Sequence, residues 1–300
     1  MSIATEYQMR RAPRHETMRV RGLDMHLTRW GPSPSAGVPP VLLLHGWQDA
    51  GDTFQFMVDA FEQDWPLAAP DWRGFGRSEW APGGYWFPDY LADLDALLEQ
   101  LSPGVPIRIV GHSMGGNVAA LYAGLRPQRV RCLVNLEGFG LPRTRPDQAP
   151  DILRKWLDQV KAVPPLKDYD SFEQLASIIR SRYPRFSEAQ SAFVAKVWAK
   201  READGRVHLL GDARHRWSNP VLYRREETEA CWRAIQAPML MLLGERSDFP
   251  QRLGADGTEE AFRAIISGLE IAHIAGAGHM LHIEKPDLVA ARVENFLSGH

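Results

Sequence analysis

The chain of 300 residues is 44% hydrophobic and 24% charged, a composition typical of a globular protein with a sizeable core and not of a disordered chain. Its formal net charge of -2 argues against the strongly basic surface by which proteins bind nucleic acid or anionic membranes. Its two cysteines, Cys132 and Cys231, have no C-x-x-C or Cys/His spacing. We therefore expect no disulfide framework, no metal site and no cofactor.

The beginning of the chain does not resemble a targeting signal. Residues 1–17 include Glu6, Arg10, Arg11 and Arg14 and have no apolar central region, so no secretory signal is expected. No stretch has the length of a membrane-spanning helix. The sequence predicts a cytoplasmic protein with a small-molecule substrate, without a nucleic-acid or membrane partner, and it leaves the oligomeric state open.

The first half of the chain alternates short apolar runs with amphipathic stretches, which predicts parallel strands covered by helices. The predicted strands are residues 18–22, 25–30, 41–44, 67–70, 106–110 and 130–136. The predicted helices are residues 52–63, with Asp52 or Thr53 as cap, residues 88–101, and a stretch directly after Ser113.

This alternation stops between residues 141 and 236. There the sequence predicts only helices, over residues 152–163, 171–182, 188–201 and 225–235. Strands resume at residues 239–244 and 270–274, with helices at 259–267 and 286–297. The simplest organisation is a sheet domain, residues 1–140 and 237–300, with a helical insertion, residues 141–236, after the sixth strand.

A candidate nucleophile lies where the fifth predicted strand meets a helix. Gly111, Ser113 and Gly115 fit a G-x-S-x-G pattern, in which the serine sits on a cramped turn and the small neighbours let strand and helix approach closely. A serine hydroxyl is a weak nucleophile unless a base takes its proton. The backbone N–H of Met114, at the start of the helix, can stabilise an oxyanion formed by the attack.

Four ordered motifs make the chain resemble the α/β-hydrolase family, and more closely its cap-bearing serine hydrolases of the serine-hydrolase-like or esterase type. The motifs are His45-Gly46-Trp47, residues 71–78, residues 111–115 and Gly276-Ala277-Gly278-His279. The resemblance implies an α/β-hydrolase fold, a mostly parallel eight-stranded sheet flanked by helices. It also implies that the insertion, residues 141–236, is the helical cap, or lid, of such enzymes.

Two of these motifs supply further parts of a site. The backbone N–H of Trp47 can join that of Met114 in a two-donor oxyanion hole, where each donor contributes about 3 kcal/mol of transition-state stabilisation. His279 is the preferred base, because it follows a short strand near the C-terminus and so matches the family's Ser, acid, His order. His282 is its nearby competitor. His112, beside the serine, is expected to point away from the hydroxyl.

Two carboxylates compete for the role of the acid. Asp248 is preferred, because in most serine-using members the acid lies on the loop after the strand at 239–243. It stands one position beyond the usual spacing from Gly244, and Ser247 occupies the usual place. Glu137 ends the strand after the serine helix, where haloalkane dehalogenases carry their acid, and is the alternative. Either carboxylate could hold the imidazole tautomer that leaves Nε2 free as base.

A serine nucleophile argues against the reactions of haloalkane dehalogenases and epoxide hydrolases, since those members of the family need a carboxylate at that position. The sequence therefore predicts a serine hydrolase that acts on a small or medium, largely apolar carboxylic ester through an acyl-enzyme on Ser113. A lactonase or carbon–carbon bond hydrolase with the same triad is one alternative. A non-catalytic hydrolase-fold binding protein is another.

The insertion is expected to determine the substrate. Its large aromatic side chains can line an apolar pocket, although for any one of them packing against the core is the commoner role. They are Trp156, Phe172, Phe186, Phe193, Trp198 and Trp217.

Overall fold

A computed structural model describes residues 6–35 and 38–300. Two short segments lie outside the described residues, 1–5 and 36–37. The first belongs to the stretch for which no secretory signal is expected, and the second to the predicted sheet domain. Within the described part of the chain, no helix is both long enough and apolar enough to cross a membrane.

The described residues contain ten strands. They are β1 (Arg14–Val20), β2 (Leu23–Trp30), β3 (Val41–Leu44), β4 (Leu67–Pro70), β5 (Ile107–His112), β6 (Val130–Leu136), β7 (Ala199–Arg201), β8 (Val207–Leu209), β9 (Met239–Gly244) and β10 (Glu270–Ile274). Eight of them form one sheet in the order β1-β2-β4-β3-β5-β6-β9-β10. The pairs that involve β2 are antiparallel and the others are parallel. This confirms the predicted mostly parallel eight-stranded sheet.

Eleven α-helices occur in the same residues. They are α1 (Gln55–Ala60), α2 (Phe87–Leu101), α3 (Met114–Leu125), α4 (Ala149–Gln159), α5 (Phe172–Arg182), α6 (Glu188–Trp198), α7 (Arg225–Arg233), α8 (Phe249–Arg252), α9 (Glu259–Ile265), α10 (Leu281–Glu284) and α11 (Pro286–Gly299). The predicted helix over residues 52–63 is instead a 3₁₀ turn, Gly51–Phe54, that continues into α1.

Helices cover both faces of the sheet because its central strands are apolar on both sides. In β3, Leu42 and Leu44 face the layer of α2 and α3, whereas Val41 and Leu43 face the layer of α1 and α11. This alternation is the two-residue period of a strand. The polar loops at the strand ends are thereby left at the edges of the sheet.

The insertion contains a small hairpin that the sequence did not predict. The helix predicted over residues 188–201 ends at Trp198, and β7 then pairs antiparallel with β8. Gly205 lies in the connecting turn with a φ of 82°, a conformation that glycine adopts readily. The expectation of an entirely helical insertion was therefore wrong over these residues.

The insertion has a hydrophobic cluster of its own, completed by Phe56, Met280 and Ile283 from the sheet domain. Phe186 is buried in this cluster, and three other aromatic side chains that were expected to line a pocket pack against it: Phe172, Phe193 and Trp198. These four residues thus pack the insertion onto the sheet domain at the level of the loop that follows β10.

Candidate active site

The carboxyl ends of the parallel strands meet at one edge of the sheet. The loops after β3, β5, β6, β9 and β10 follow one another there in the spatial order of the strands. These loops carry the oxyanion, nucleophile, acid and base candidates, so the topology brings together residues that lie far apart in the sequence.

Ser113 occupies a strained turn between β5 and α3. Its backbone has a φ of 51° and a ψ of -113°, a region that ordinary residues rarely adopt. A Cβ on Gly111 would lie 2.6 Å from the carbonyl oxygen of Gly115, and one on Gly115 would lie 2.1 Å from that of Leu44. Only glycine fits at either position, as the motif predicts.

The imidazole of His279 lies directly beside the serine hydroxyl. Its Nε2 is 3.0 Å from Oγ of Ser113, within hydrogen-bond distance. The ring of Phe249 stacks on it with 3.9 Å between centroids and 12° between planes. The preceding residue, Gly278, donates its N–H to Glu284 over 2.6 Å. Stacking and loop hydrogen bonding together restrict the orientation of the imidazole.

The carboxylate that reaches this imidazole belongs to Glu137. Its Oε2 lies 3.1 Å from Nδ1 of His279, and its Oε1 accepts the N–H of Gly244 over 2.6 Å. Oε2 also accepts the hydroxyl of Ser247. Glu137 is 1% exposed, so these hydrogen bonds are shielded from water. A carboxylate on Nδ1 holds that proton and leaves Nε2 free to accept the serine proton.

The structure thus places Glu137, the alternative acid candidate, against His279, whereas the preferred candidate, Asp248, pairs with Arg252. The Asp248 side chain is 69% exposed and pairs with Arg252 over 2.7 Å, and this neighbouring guanidinium lowers the pKa of the Asp248 carboxyl. The residue one position earlier, Ser247, is buried and donates to Glu137. The position in this loop that usually holds the family's acid thus supplies a hydroxyl donor to the carboxylate that follows the neighbouring strand.

The loop after β3 lies against the serine. A Cβ on Gly46 would be 3.2 Å from Cβ of Ser113. His45 Nε2 accepts the N–H of Trp72 over 2.9 Å, so the proton of this buried ring is on Nδ1, which donates to the carbonyl of Gly46 over 2.7 Å. Because a trans peptide holds its C=O and N–H on opposite sides, the N–H of Trp47 is directed away from His45.

The second oxyanion candidate, Met114, is the first residue of α3. The first N–H groups of a helix have no acceptor within the helix, and they carry the positive end of the helix dipole. The loop of Trp47 and the start of α3 both adjoin Ser113, which is the arrangement that a two-donor oxyanion hole requires.

The two histidines that compete with His279 by their position in the sequence, His112 and His282, are buried. Burial lowers the pKa of His112 well below the usual histidine value and that of His282 to about 3. His112 bonds through Nε2 to the carbonyl oxygen of His279 over 2.9 Å, so it turns away from the serine hydroxyl. His282 stacks on His112 with 4.4 Å between ring centroids, and it is His279 that meets Ser113.

Sequence reasoning missed two supporting residues, Asn135 and Ser247. The amide of Asn135 accepts the N–H of Gly138 over 2.7 Å and donates to its carbonyl over 2.9 Å. It thereby closes the turn in which Glu137 adopts a φ of 59°. The sequence could have indicated Ser247, because it lies three residues after Gly244, where the family's acid usually stands.

Comparison with known proteins identifies the family to which this fold belongs. The family model of the alpha/beta hydrolase fold matches residues 39–286, which is more than half of the chain. The chain belongs to the α/β-hydrolase family.

Similar proteins of this family are named as hydrolases. The α/β hydrolase described here is 29% identical to a serine hydrolase-like protein of Danio rerio, over 98% of this chain and 91% of that one. It is 33% identical to lipase LipV of Mycobacterium tuberculosis, over 54% of this chain and 66% of the lipase. The thioesterase domain from the curacin biosynthetic pathway superposes with a TM-score of 0.83 at 25% identity, covering 95% of this chain and 99% of that domain. These matches support hydrolase activity on a small-molecule substrate.

Proposed function

We propose that this α/β hydrolase is a serine hydrolase that cleaves carboxylic ester-type bonds through an acyl-enzyme on Ser113. One observation carries the proposal. A continuous chain of hydrogen bonds runs from Ser113 Oγ to His279 Nε2, over 3.0 Å, and from His279 Nδ1 to Glu137 Oε2, over 3.1 Å. Nucleophile, base and acid are thus in the order and contact that acyl transfer needs.

In the first half of the reaction, His279 Nε2 takes the proton of Ser113 while Oγ attacks the carbonyl carbon of the ester. The carbonyl oxygen becomes an oxyanion, which accepts hydrogen bonds from the N–H groups of Trp47 and Met114. The tetrahedral intermediate then breaks its bond to the alcohol oxygen, and the proton on His279 passes to this leaving group. The product of this half is an acyl ester on Ser113.

In the second half, water replaces the alcohol. The water oxygen attacks the acyl carbon while His279 takes a proton from the water. His279 then gives that proton to Ser113 Oγ when the acid product leaves. Glu137 stays ionised throughout. It holds the Nδ1–H tautomer and stabilises the imidazolium that forms in both halves.

The surroundings of the nucleophile favour an apolar substrate. Trp47, in the loop beside Ser113, is 47% exposed, and Phe249 covers one face of His279. Since pockets of small-molecule enzymes are lined mostly by apolar side chains, we assign a small or medium apolar ester as substrate and the insertion, residues 141–236, as its cap. The reaction needs no cofactor, because side chains and backbone N–H groups carry every proton and charge. We further assign this enzyme to the cytoplasm, as the sequence predicts.

The direct test is covalent labelling with a fluorophosphonate probe. We expect the folded protein to be labelled at Ser113, identified by peptide mass, and Ser113→Ala to be unlabelled. Turnover of the Ser113→Ala variant should fall by a factor on the order of a million, as for other triads that act as a unit. A folded protein that resists the probe would favour the non-catalytic binding protein.

A substrate panel separates the reactions that this triad could perform. Esters and thioesters of short and medium acyl chains, lactones and vinylogous diketones are compared by kcat/KM, with Ser113→Ala as the blank. The proposal predicts the highest value for an apolar ester. A lactone or a diketone that reacts faster would replace it with the ring-opening or carbon–carbon bond alternative.

A further inference from the structure

A cluster of three buried titratable side chains lies beneath the loop of His279. Asp49 comes from the loop after β3, His112 from the end of β5 and His282 from α10, and they are 4%, 1% and 0% exposed. One potential ligand atom from each residue lies within 4.8 Å of the other two. The ester hydrolysis proposed above uses none of these side chains as acid, base or nucleophile.

Three of the four ring nitrogens in this cluster lack hydrogen-bond partners among the described residues. Because Nε2 of His112 donates to the carbonyl of His279 over 2.9 Å, its Nδ1 carries a lone pair, and this buried Nδ1 makes no hydrogen bond within the described chain. Neither buried nitrogen of His282 is bonded within the described residues either. Buried polar atoms are nearly always satisfied, so a bound species is expected between these side chains.

We propose that Asp49, His112 and His282 together bind one divalent transition-metal ion, of the Zn²⁺ and Co²⁺ type, and that this ion inhibits the enzyme. Two imidazoles and a carboxylate form a ligand set that such ions use commonly. The sequence-based expectation of no metal site rested on the lack of a spacing motif. These three ligands come from three separate segments, so spacing could not show them.

The surroundings of the cluster resemble the supports of known metal ligands. A metal-bound histidine typically donates its other ring N–H to a carbonyl or carboxylate, as His112 does to the carbonyl of His279. The carboxylate of Asp49 accepts hydrogen bonds from Trp198 Nε1, over 2.8 Å, and from Thr53 Oγ1, over 3.0 Å. Both contacts fix the orientation of the carboxylate.

The geometry requires only a small contraction. With metal–ligand bonds of about 2.1 Å, tetrahedral ligand atoms lie about 3.4 Å apart. Starting from separations of no more than 4.8 Å, the ligand atoms approach one another by at most about 1.4 Å. Small side-chain rotations of His112 and His282 toward the fixed carboxylate of Asp49 can supply this movement.

Inhibition follows from the position of His112 between two parts of the catalytic site. Its Nε2 holds the carbonyl of His279, and a Cβ on Gly46 would lie 3.0 Å from its Nδ1. An ion that draws Nδ1 of His112 toward Asp49 therefore shifts this ring. The ring contacts both the loop that carries His279 and the loop that carries Trp47. Displacements well under 1 Å misalign such sites. Metal binding stands without the proposed hydrolysis, whereas the inhibition rests on it.

The experiment is a Co²⁺ titration of chelator-treated full-length protein, followed by visible absorption and equilibrium dialysis. We expect one equivalent of Co²⁺ per chain with ligand-field bands in the wild type. Asp49→Asn and His282→Gln should each bind Co²⁺ at least 10-fold more weakly. The matched control is His208→Gln, because His208 lies on the surface within 3.1 Å of both Asp168 and Asp204. It should bind like the wild type.

His279→Ala separates this site from metal capture by the catalytic base, and it should still bind one equivalent. Loss of binding in His279→Ala or in His208→Gln, or no stoichiometric binding by the wild type, would overturn the proposal. Circular dichroism checks the folding of each variant. Co²⁺ should raise the Tm of the wild type and leave that of Asp49→Asn and His282→Gln unchanged, as expected for an ion that binds only the native site.

Activity supplies a separate readout. Co²⁺ should lower ester turnover of the wild type and of His208→Gln at least 10-fold, mainly through kcat, and leave His282→Gln at its own metal-free rate. Turnover by the wild type that is unaffected by bound Co²⁺ would overturn the inhibition. A protein that binds Co²⁺ but hydrolyses no ester would confirm the metal site and contradict the proposed function.

Discussion

The loops after β6 and β9 leave the same edge of the sheet, and each carries a candidate for the acid, yet only one of these two carboxylates meets His279. Glu137, after β6, is buried and bonded to His279, Ser247 and the N–H of Gly244. Asp248, after β9, is exposed and bonded to Arg252. The two loops touch because β6 and β9 are adjacent parallel strands.

The difference shows that the surroundings of a carboxylate determine its role more than its place along the chain. Hydrogen bonds to a charged group strengthen when water is excluded, so the three donors around Glu137 suit the role proposed for this carboxylate beside His279. The exposed ion pair of Asp248 is screened by solvent and contributes little.

The largest effect should come from Glu137→Gln. The amide keeps the shape of the side chain but removes the charge and permits the wrong imidazole tautomer. We expect kcat on an apolar ester to fall by a factor on the order of 10⁴, measured by steady-state kinetics. An unchanged Tm serves as the control for folding. Wild-type turnover in this variant would remove Glu137 from the triad.

A transfer of the acid to the neighbouring loop tests whether the two loops can exchange roles. In Glu137→Ser with Ser247→Asp, the carboxylate comes from β9 and the hydroxyl from β6. We expect activity to recover by about 10- to 100-fold over Glu137→Ser alone, since a carboxylate again holds the imidazole tautomer. No recovery in a folded double variant would mean that the backbone around Glu137 is itself required.

A smaller effect is expected from Ser247→Ala, which removes one hydrogen bond to the Glu137 carboxylate. Such a bond to a charged group is worth about 1.5 kcal/mol or more, so kcat should fall about 10-fold. Ser247→Thr retains the hydroxyl and should recover much of the loss. Equal activities of the alanine and threonine variants would contradict a role for this hydrogen bond.

The smallest effect should come from Asp248→Asn. Since the Arg252 guanidinium lowers the pKa of this carboxyl, Asp248 is ionised across the neutral range, and its titration does not contribute to the activity profile there. We expect kcat/KM within about two-fold of the wild type and the same pH profile between about pH 6 and pH 9. A loss of activity as large as that of Glu137→Gln would contradict the assignment of the acid to Glu137 alone.

The sheet and the nucleophile turn could be predicted because their signals are local. A continuous apolar run such as Val41–Leu44 predicts a buried strand, and the spacing of Gly111 and Gly115 predicts a close approach of strand and helix. The strand Ala199–Arg201 is too short to show a period. It could not be separated from the helix before it.

The acid and the buried cluster depend on contacts between distant segments. The choice between Glu137 and Asp248 depends on which of two neighbouring loops turns its carboxylate toward His279, and contacts such as that of Ser247 with Glu137 form only in the folded chain. Asp49, His112 and His282 meet only after three separate segments, a loop, a strand end and a helix, have come together at the sheet edge. No periodicity or spacing in the sequence encodes such a meeting.

Glu137 is the hydrogen-bond partner of His279 in the structure, and proton NMR of histidine-labelled protein can detect this pair in solution. An Nδ1 proton shared with a buried carboxylate gives a resonance at low field, assigned by its absence in His279→Ala. We expect this resonance to persist in Asp248→Asn and to disappear in Glu137→Gln. A resonance that survives in Glu137→Gln and is lost in Asp248→Asn would contradict this expectation.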